Sequence, residues 1–515
     1  MKLPTLYASL LLLLTAHSLH AAKPNIIVIY TDDQGYGDAS CLNPESKFQT
    51  PNLDRLAREG MTFTDGHCSD TVCTPSRYGL LTGRYSWRTK LKKGVMGAEG
   101  DCLIADGRMT LASLLRDNGY QTGMVGKWHL GMDFPGTKGD RDWTQPVKDM
   151  PLDKGFDYFW GIPASMNYGV LAWFEGRYAK VPPILFTSKK PSKIAISDYR
   201  IKPPYQKTAA EAPTPRESDR VLNDKTKGIE VAADFVDDKC LTYFTDRSIA
   251  WMETVKSDAK KGKPFFLYLP YTSPHKPVIP LPKFRGQGKA GAYGEFMIET
   301  DHHVGRILKY LDDNELAENT LIVYTSDNGP ENTWKKRIEL YDHHSSGIYK
   351  EGKRSIYEGG HRVPFLVRWP KGVKAGSTWN DPVCQTDLLA TFAEMIGADL
   401  PDKAGEDSVS FYAALSGEEQ EARAAMVHHG SNGRFAVSNG DWKLIMPHKK
   451  LRLELYNVAT DKSESTNVLA KHPEIAAKLE KELTGIVANG RSTKGKAQPN
   501  DGPKWWSDLS WIIEK

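Results

Sequence analysis

Four stretches of this chain are continuous runs of mostly apolar, strand-forming residues, and each one empties onto charged or amide side chains. Asn25-Ile26-Ile27-Val28-Ile29-Tyr30 runs into Thr31-Asp32-Asp33-Gln34-Gly35, and Gln121 to Val125 runs into Gly126-Lys127-Trp128-His129. Phe265-Phe266-Leu267-Tyr268-Leu269 opens onto Ser273-Pro274-His275, and Leu321-Ile322-Val323-Tyr324-Thr325-Ser326 ends at Asp327-Asn328-Gly329. A strand wetted on one face alternates polar and apolar residues. One without alternation is buried on both faces, as in a parallel sheet covered by helices on either side. Helical segments fall between these runs: Thr110 is a cap before Leu111, Leu114 and Leu115, with Gly119 as the stop, and Ala290 to Leu311 is another. This order predicts an α/β fold, a mostly parallel central sheet flanked by helices. Ligands in such sheets sit beyond the carboxyl ends of the strands.

The chain has 515 residues, more than that sheet needs. Residues 179–227 are rich in Lys, Pro, Ser and Thr with weak periodicity, which predicts a loop-like surface insertion in a main unit spanning 23–424. From 425 to 515 the texture changes to short alternating runs (Phe435-Ala436-Val437, Trp442 to Ile445, Glu454 to Asn457) and a helix from Pro473 to Val487. That predicts a small C-terminal antiparallel sheet plus helix. Residues 1–22, with Lys2, an apolar run from Leu6 to Leu14 and Ala21-Ala22, have the plan of a secretory signal, so periplasmic or secreted export is expected. The run is too short to span a bilayer, and no membrane anchor is expected. Lys+Arg 68 against Asp+Glu 64 leaves +4, no electrostatic footprint for nucleic acid. The six cysteines contain no C-x-x-C pair, which argues against a thiolate metal or redox site and leaves any disulfide pairing open.

The most specific segment is Cys73-Thr74-Pro75-Ser76-Arg77-Tyr78-Gly79-Leu80-Leu81-Thr82-Gly83-Arg84. Pro75 suits the first turn of a helix and Gly83 its C-terminal cap, which puts Cys73 and Arg77 on one face. The segment resembles the C-x-P-S-R-x-x-x-L-T-G-R signature of the formylglycine-dependent sulfatases, a branch of the alkaline phosphatase superfamily, and the likeness extends over nearly all of the mature chain. It implies an alkaline-phosphatase-like sheet and a Cys73 oxidised to formylglycine by a maturation enzyme. Asp32-Asp33 and Asp327-Asn328 resemble the family's metal ligands, with residue 73 completing the set. Three carboxylates and an amide are hard donors suited to Ca²⁺ or Mg²⁺, and Ca²⁺ is expected.

Gly126-Lys127-Trp128-His129-Leu130-Gly131 and Ser273-Pro274-His275-Lys276-Pro277 match further family blocks, as does Gly352-Lys353 with Glu358-Gly359-Gly360, although Glu351 stands where a glycine is usual. The resemblance implies that Arg77, Lys127 and Lys353 hold the sulfate. His275 would protonate the leaving oxygen, and His129 would take a proton from the hydrated aldehyde. Ser165, in Gly161-Ile162-Pro163-Ala164-Ser165, resembles a sulfate-contacting serine. The reaction implied is hydrolysis of a sulfate ester on a carbohydrate, a polysaccharide or glycosaminoglycan, with a 6-O-sulfated galactose or N-acetylgalactosamine favoured. Formylglycine also serves phosphonate monoester hydrolases and phosphodiesterases, which form the alternative; a sugar-binding protein without catalysis is a third. His343 and His344, Trp334 to Arg337, and Trp87-Arg88 are candidates for a sugar groove, whereas His302-His303 falls inside a helix and reads as structural.

Overall fold

The computed structural model describes residues 23–513 except 168, 188–227 and 422. The expected signal and most of the expected insertion lie outside the described residues. The dominant element is a ten-stranded sheet. Its strands in chain order are β1 (Asn25–Asp32), β2 (Met61–Phe63), β3 (Gln121–Lys127), β4 (Tyr158–Ile162), β5 (Phe174–Glu175), β6 (Tyr178–Ala179), β7 (Phe265–Pro274), β8 (Thr320–Ser326), β9 (Phe365–Arg368) and β10 (Ser377–Trp379). They lie in the order β6-β5-β4-β3-β7-β1-β8-β9-β2-β10. The five central strands, β4 to β8 across the sheet, are mutually parallel. β9 runs antiparallel to its neighbours, as does β5 beside β4.

The central strands are buried along nearly their whole length, as non-alternating sequences require. Helices α1 (Pro51–Glu59), α4 (Cys240–Lys260) and α5 (Gly291–Asp313) pack together on one side, and α2 (Cys73–Thr82), α3 (Leu111–Asp117) and α6 (Leu388–Ile396) on the other. The Thr110 hydroxyl accepts from the Ser113 amide at 3.0 Å, so α3 starts where the sequence places its cap. The sequence pattern places the third buried strand at Phe265–Leu269, opening onto Ser273-Pro274-His275. β7 continues to Pro274, with a register irregularity against β1 beyond Tyr30.

Four antiparallel strands near the C-terminus, β11 (Met426–His429), β12 (Phe435–Asn439), β13 (Trp442–Ile445) and β14 (Glu454–Asn457), form the expected small sheet, covered by α7 (Pro473–Asn489). The apolar cluster under α7 also takes in Tyr85 and Trp87, which lie just beyond α2. The expected loop-like character of 179–227 needs correction near its start, where residues 185–187 form a strand. Leu185–Thr187 pairs with Ile229–Val231, which pairs in turn with Val170–Leu171.

Candidate active site

β1 and β8 are parallel neighbours with Thr31 opposite Ser326, so the Asp32-Asp33 and Asp327-Asn328 pairs, almost three hundred residues apart, finish side by side. The Asp33 amide donates to Asp327 Oδ1 at 3.1 Å, and Asn328 Nδ2 donates to Asp33 Oδ1 at 2.8 Å. α2 begins at Cys73, with Val72 as an extended cap, and ends at Gly83 in the left-handed region (φ 63°). Its geometry aims Arg77 into the same place: Nη2 donates to Asp327 Oδ2 at 2.7 Å and lies 3.5 Å from Asp32, while Nη1 donates to the Lys127 carbonyl. Lys127, from the end of β3, pairs with Asp32, and Lys353 pairs with Asp33. All of these side chains are buried.

The oxygen atoms carry the test for a cation. Asp32 Oδ1, Asp33 Oδ2 and Asn328 Oδ1 are buried with no hydrogen-bond partner. A ligand atom from each of Asp32, Cys73 and Asp327 lies within 4.8 Å of the others. Leaving such oxygens dry and unmatched costs about 1–3 kcal/mol each, which a hard divalent cation would offset. The donor set fits Ca²⁺ or Mg²⁺.

Burial and the neighbouring Asp32 charge push Asp327 up to about 7, against the pull of Arg77 and Lys127. Burial also opposes ionisation of Asp32, yet Lys127, His275, Arg77 and Lys353 together hold it well below the carboxylate range. The Cys73 thiol is raised, chiefly by burial, although Lys127 and Lys353 pull the other way. Unmodified, it is a protonated and poor nucleophile.

His275 Nδ1 lies 2.7 Å from the Lys276 carbonyl and so donates to it, which turns Nε2 towards Asp33 Oδ2 at 3.8 Å. Burial pulls its pKa down to about 4. His129 is also buried, with Nε2 3.0 Å from the Met96 carbonyl, and burial holds it well below its ordinary value. Asp33, His129, Glu351 and Arg354 all have positive φ (68°, 64°, 63° and 77°). Left-handed backbone costs a side-chain-bearing residue about 1 kcal/mol or more, and it concentrates where a site dictates geometry. Ser165 sits in the loop after β4, its hydroxyl buried without a partner.

A sulfatase family model matches residues 24–398, and a model of the N-sulphoglucosamine sulphohydrolase C-terminal region matches 347–489. The chain belongs to the sulfatase family. It is 32% identical to the N-acetylgalactosamine-6-O-sulfatase of Bacteroides thetaiotaomicron over 498 residues, 91% of this chain and 94% of that one. It is 32% identical to human arylsulfatase A over 442 residues, 84% of this chain and 77% of the relative. A solved Bacteroides thetaiotaomicron structure described under the metabolism of multiple glycosaminoglycans superposes with a TM-score of 0.77 at 30% identity, covering 90% of this chain and 99% of that one. This sulfatase is a sulfuric ester hydrolase on an alkaline-phosphatase-like sheet.

Several expected groove residues of this sulfatase are placed elsewhere. His343 is fully buried, with Nε2 2.8 Å from Asp38 Oδ1 and its ring against Phe48, so it holds a loop and has no free edge for a sugar. His344, by contrast, is half exposed and lines a pocket of about 910 Å³ with Tyr36, Trp334 and Tyr349. Arg337 is buried over the Tyr293 ring and donates to Ser345. Trp87 and Arg88 are buried under the C-terminal sheet, Arg88 clamped on Asp407 at 2.7 Å. His303 is buried within α5, in keeping with a structural role. Sequence reasoning missed Glu331, Lys276 and Arg354. Lys276 lies inside the Ser273–Pro277 block, Arg354 directly after Gly352-Lys353 and Glu331 two residues after Gly329, and that adjacency was the available signal.

Proposed function

We propose that this sulfatase removes sulfate from a sulfated carbohydrate, using formylglycine made from Cys73 and Ca²⁺ held by Asp32, Asp33, residue 73, Asp327 and Asn328. The observation that carries the assignment is the set of three buried, partnerless oxygens on Asp32, Asp33 and Asn328 beside Cys73, ringed by Arg77, Lys127 and Lys353. A bound calcium ion and a hydrated aldehyde at residue 73 would supply positive charge to the sulfuryl oxygens and an oxygen nucleophile. Arg77, Lys127 and Lys353 give fixed cations in a water-poor site, where charge developing on the sulfuryl group is stabilised without reorganisation. His275, with Nε2 turned inward, is placed to protonate the leaving sugar oxygen once the negative charge of a bound sulfate beside it draws a proton onto Nε2, and His129 accepts one from the residue 73 side. The buried Ser165 hydroxyl supports a further sulfate contact, and the exposed His344 an outer substrate contact.

For the substrate, similarity to the N-acetylgalactosamine-6-O-sulfatase favours a 6-O-sulfated galactose or N-acetylgalactosamine. Export to the periplasm or medium rests on residues 1–22, and among the described residues no helix is long and apolar enough to cross a membrane. A maturation enzyme must act on Cys73. The test is sulfate release in calcium from a panel of sulfated saccharides, with phosphonate and phosphodiester controls, using protein whose Cys73 conversion is verified by peptide mass. Release from a 6-O-sulfated hexose supports the assignment; turnover of only the phosphorus compounds by converted protein overturns it.

A further inference from the structure

Exposure of the charged groups rises steadily outward from the buried centre. Side-chain exposure is 1% at Asp33, 4% at Lys353, 11% at Glu331, 29% at Lys276 and 43% at Arg354. Glu331 is the hinge of this gradient. Its carboxylate is gripped by both arms of the Arg354 guanidinium, with Nη2 donating to Oε2 at 3.0 Å, and Lys276 Nζ lies 3.5 Å from Oε2. Lys276 immediately follows the inward-turned His275, and Arg354 immediately follows Lys353. One carboxylate therefore ties together the two loops that carry the leaving-group proton and the second sulfate-binding lysine.

The backbone of Arg354 is pinned as well. Its amide donates to the Thr71 carbonyl at 2.8 Å, two residues before Cys73, and its carbonyl accepts from Ser431 Oγ of the β11–β12 loop at 3.4 Å. Its positive φ, which arginine adopts only at a cost, shows that these contacts hold it in place. The charges do not cancel: two cations share one carboxylate, so the rim keeps a net positive charge whose outer edge, the Arg354 guanidinium, faces solvent.

We propose that Arg354 and Lys276, positioned by Glu331, form a second anion subsite at the rim of the catalytic pocket. It takes a carboxylate or a second sulfate on the sugar, or on its immediate neighbour, while the scissile sulfate lies against Lys127 and Lys353. This rests on the sulfatase assignment above. Glu331 takes one N–H from each arm of the guanidinium, which leaves Nε–H and the outward Nη hydrogens of the half-exposed Arg354 to donate to either oxyanion. Arg354 and Lys276 touch the substrate, whereas Glu331 acts through them as a positioning residue.

The experiment compares kcat/KM for saccharides sharing one scissile 6-sulfate and differing in a second charge: none, an added sulfate, or a linked uronate. The unaltered enzyme should favour a doubly charged substrate by about tenfold, the effect of one partly desolvated charge pair, and the preference should shrink as salt rises. Whichever of the sulfate and uronate arms shows the preference identifies the source of the anion. R354A should bring the selectivity ratio to about one through KM and R354K should recover part of it, whereas E331Q, which loosens the positioning but adds net positive charge, should move the ratio less than R354A. Calorimetry of the same ligands on unconverted Cys73 protein should show the same charge-dependent loss in Kd, so a defect in turnover does not obscure the result. A ratio near one in the unaltered enzyme, or an unchanged ratio in soluble R354A and R354K, overturns the subsite. Charge-dependent binding without sulfate release from any substrate would instead overturn the sulfatase assignment and keep the subsite.

Discussion

Arg77 opposes two carboxylates at once, and removing it leaves Asp327 and Asp32 buried with less countercharge. Arg77→Ala should cost about 3–5 kcal/mol, the usual effect of breaking a buried pair from one side, and should lower the thermal midpoint even before activity is measured. The orphan oxygens lead to a second expectation. Calcium should raise the midpoint of the unaltered protein, chelation should reverse this, and Asn328→Ala should weaken calcium binding by about tenfold or more, read by titration calorimetry. If the midpoint ignores calcium, the cation assignment fails. At this scale the sequence was legible wherever a residue sat in a contiguous block, as with Cys73 and Arg77 on one turn of α2. It was not legible for His343-His344, because adjacency does not say which of two histidines a turn buries. Nor did it reveal Glu331, whose partners come from loops distant in sequence.

The loops at the strand ends are pressed together so closely that glycine is a spatial requirement. A Cβ on Gly329, next to Asn328, would lie 1.8 Å from the Gly359 carbonyl oxygen, and one on Gly126 would lie 2.1 Å from that of Pro270. Gly329→Ala should therefore displace the Asn328 loop from the loop bearing Lys353. The expected outcome is a loss of calcium affinity of about tenfold or more, or insoluble protein, whereas an affinity equal to the parent would refute this close-packing account. The buried strands were readable because burial on both faces removes alternation, and α3 because its cap is local chemistry. The run of β7 past Pro270 was not, since a proline that ends most ladders is accommodated here by an irregularity in register against β1. The strands that close both ends of the insertion are two or three residues long, too short to leave a periodic signal.

Across the whole molecule, the C-terminal sheet is joined to the catalytic unit by buried charge. Lys443 of β13 reaches Glu358 of the catalytic unit at 2.8 Å while also pairing with Glu464 of its own unit, and Arg84, just past α2, reaches Asp501 at 2.8 Å. Removing residues 425–515 would strip Tyr85 and Trp87 of their cover, so the truncated chain should be insoluble. At the same junction His361 stacks on His428 at 3.8 Å, with His67, Lys443, Glu358 and Arg362 around them. Burial, reinforced by neighbouring positive groups, holds both His361 and His428 well below their ordinary pKa. The unfolded chain thus binds protons that the folded one refuses. Their contribution is intact above about pH 6.5 and falls by about 1.4 kcal/mol per pH unit for each histidine as pH drops below it. The thermal midpoint should fall steeply between roughly pH 6 and 4.5, and His428→Gln should flatten that slope. The antiparallel C-terminal sheet was visible in the sequence, but its dependence on Tyr85 and Trp87 was not, because shared cores between distant segments leave no local pattern. The arrangement also sets a timetable for biosynthesis. β8, Asp327, Asn328 and Lys353 all leave the ribosome some 250 residues or more after Cys73. Through that interval the future nucleophile has no wall around it. Under the proposed conversion, a modifying enzyme would reach Cys73 most easily before the chain's later third docks, so slowing that docking should raise the converted fraction read by peptide mass.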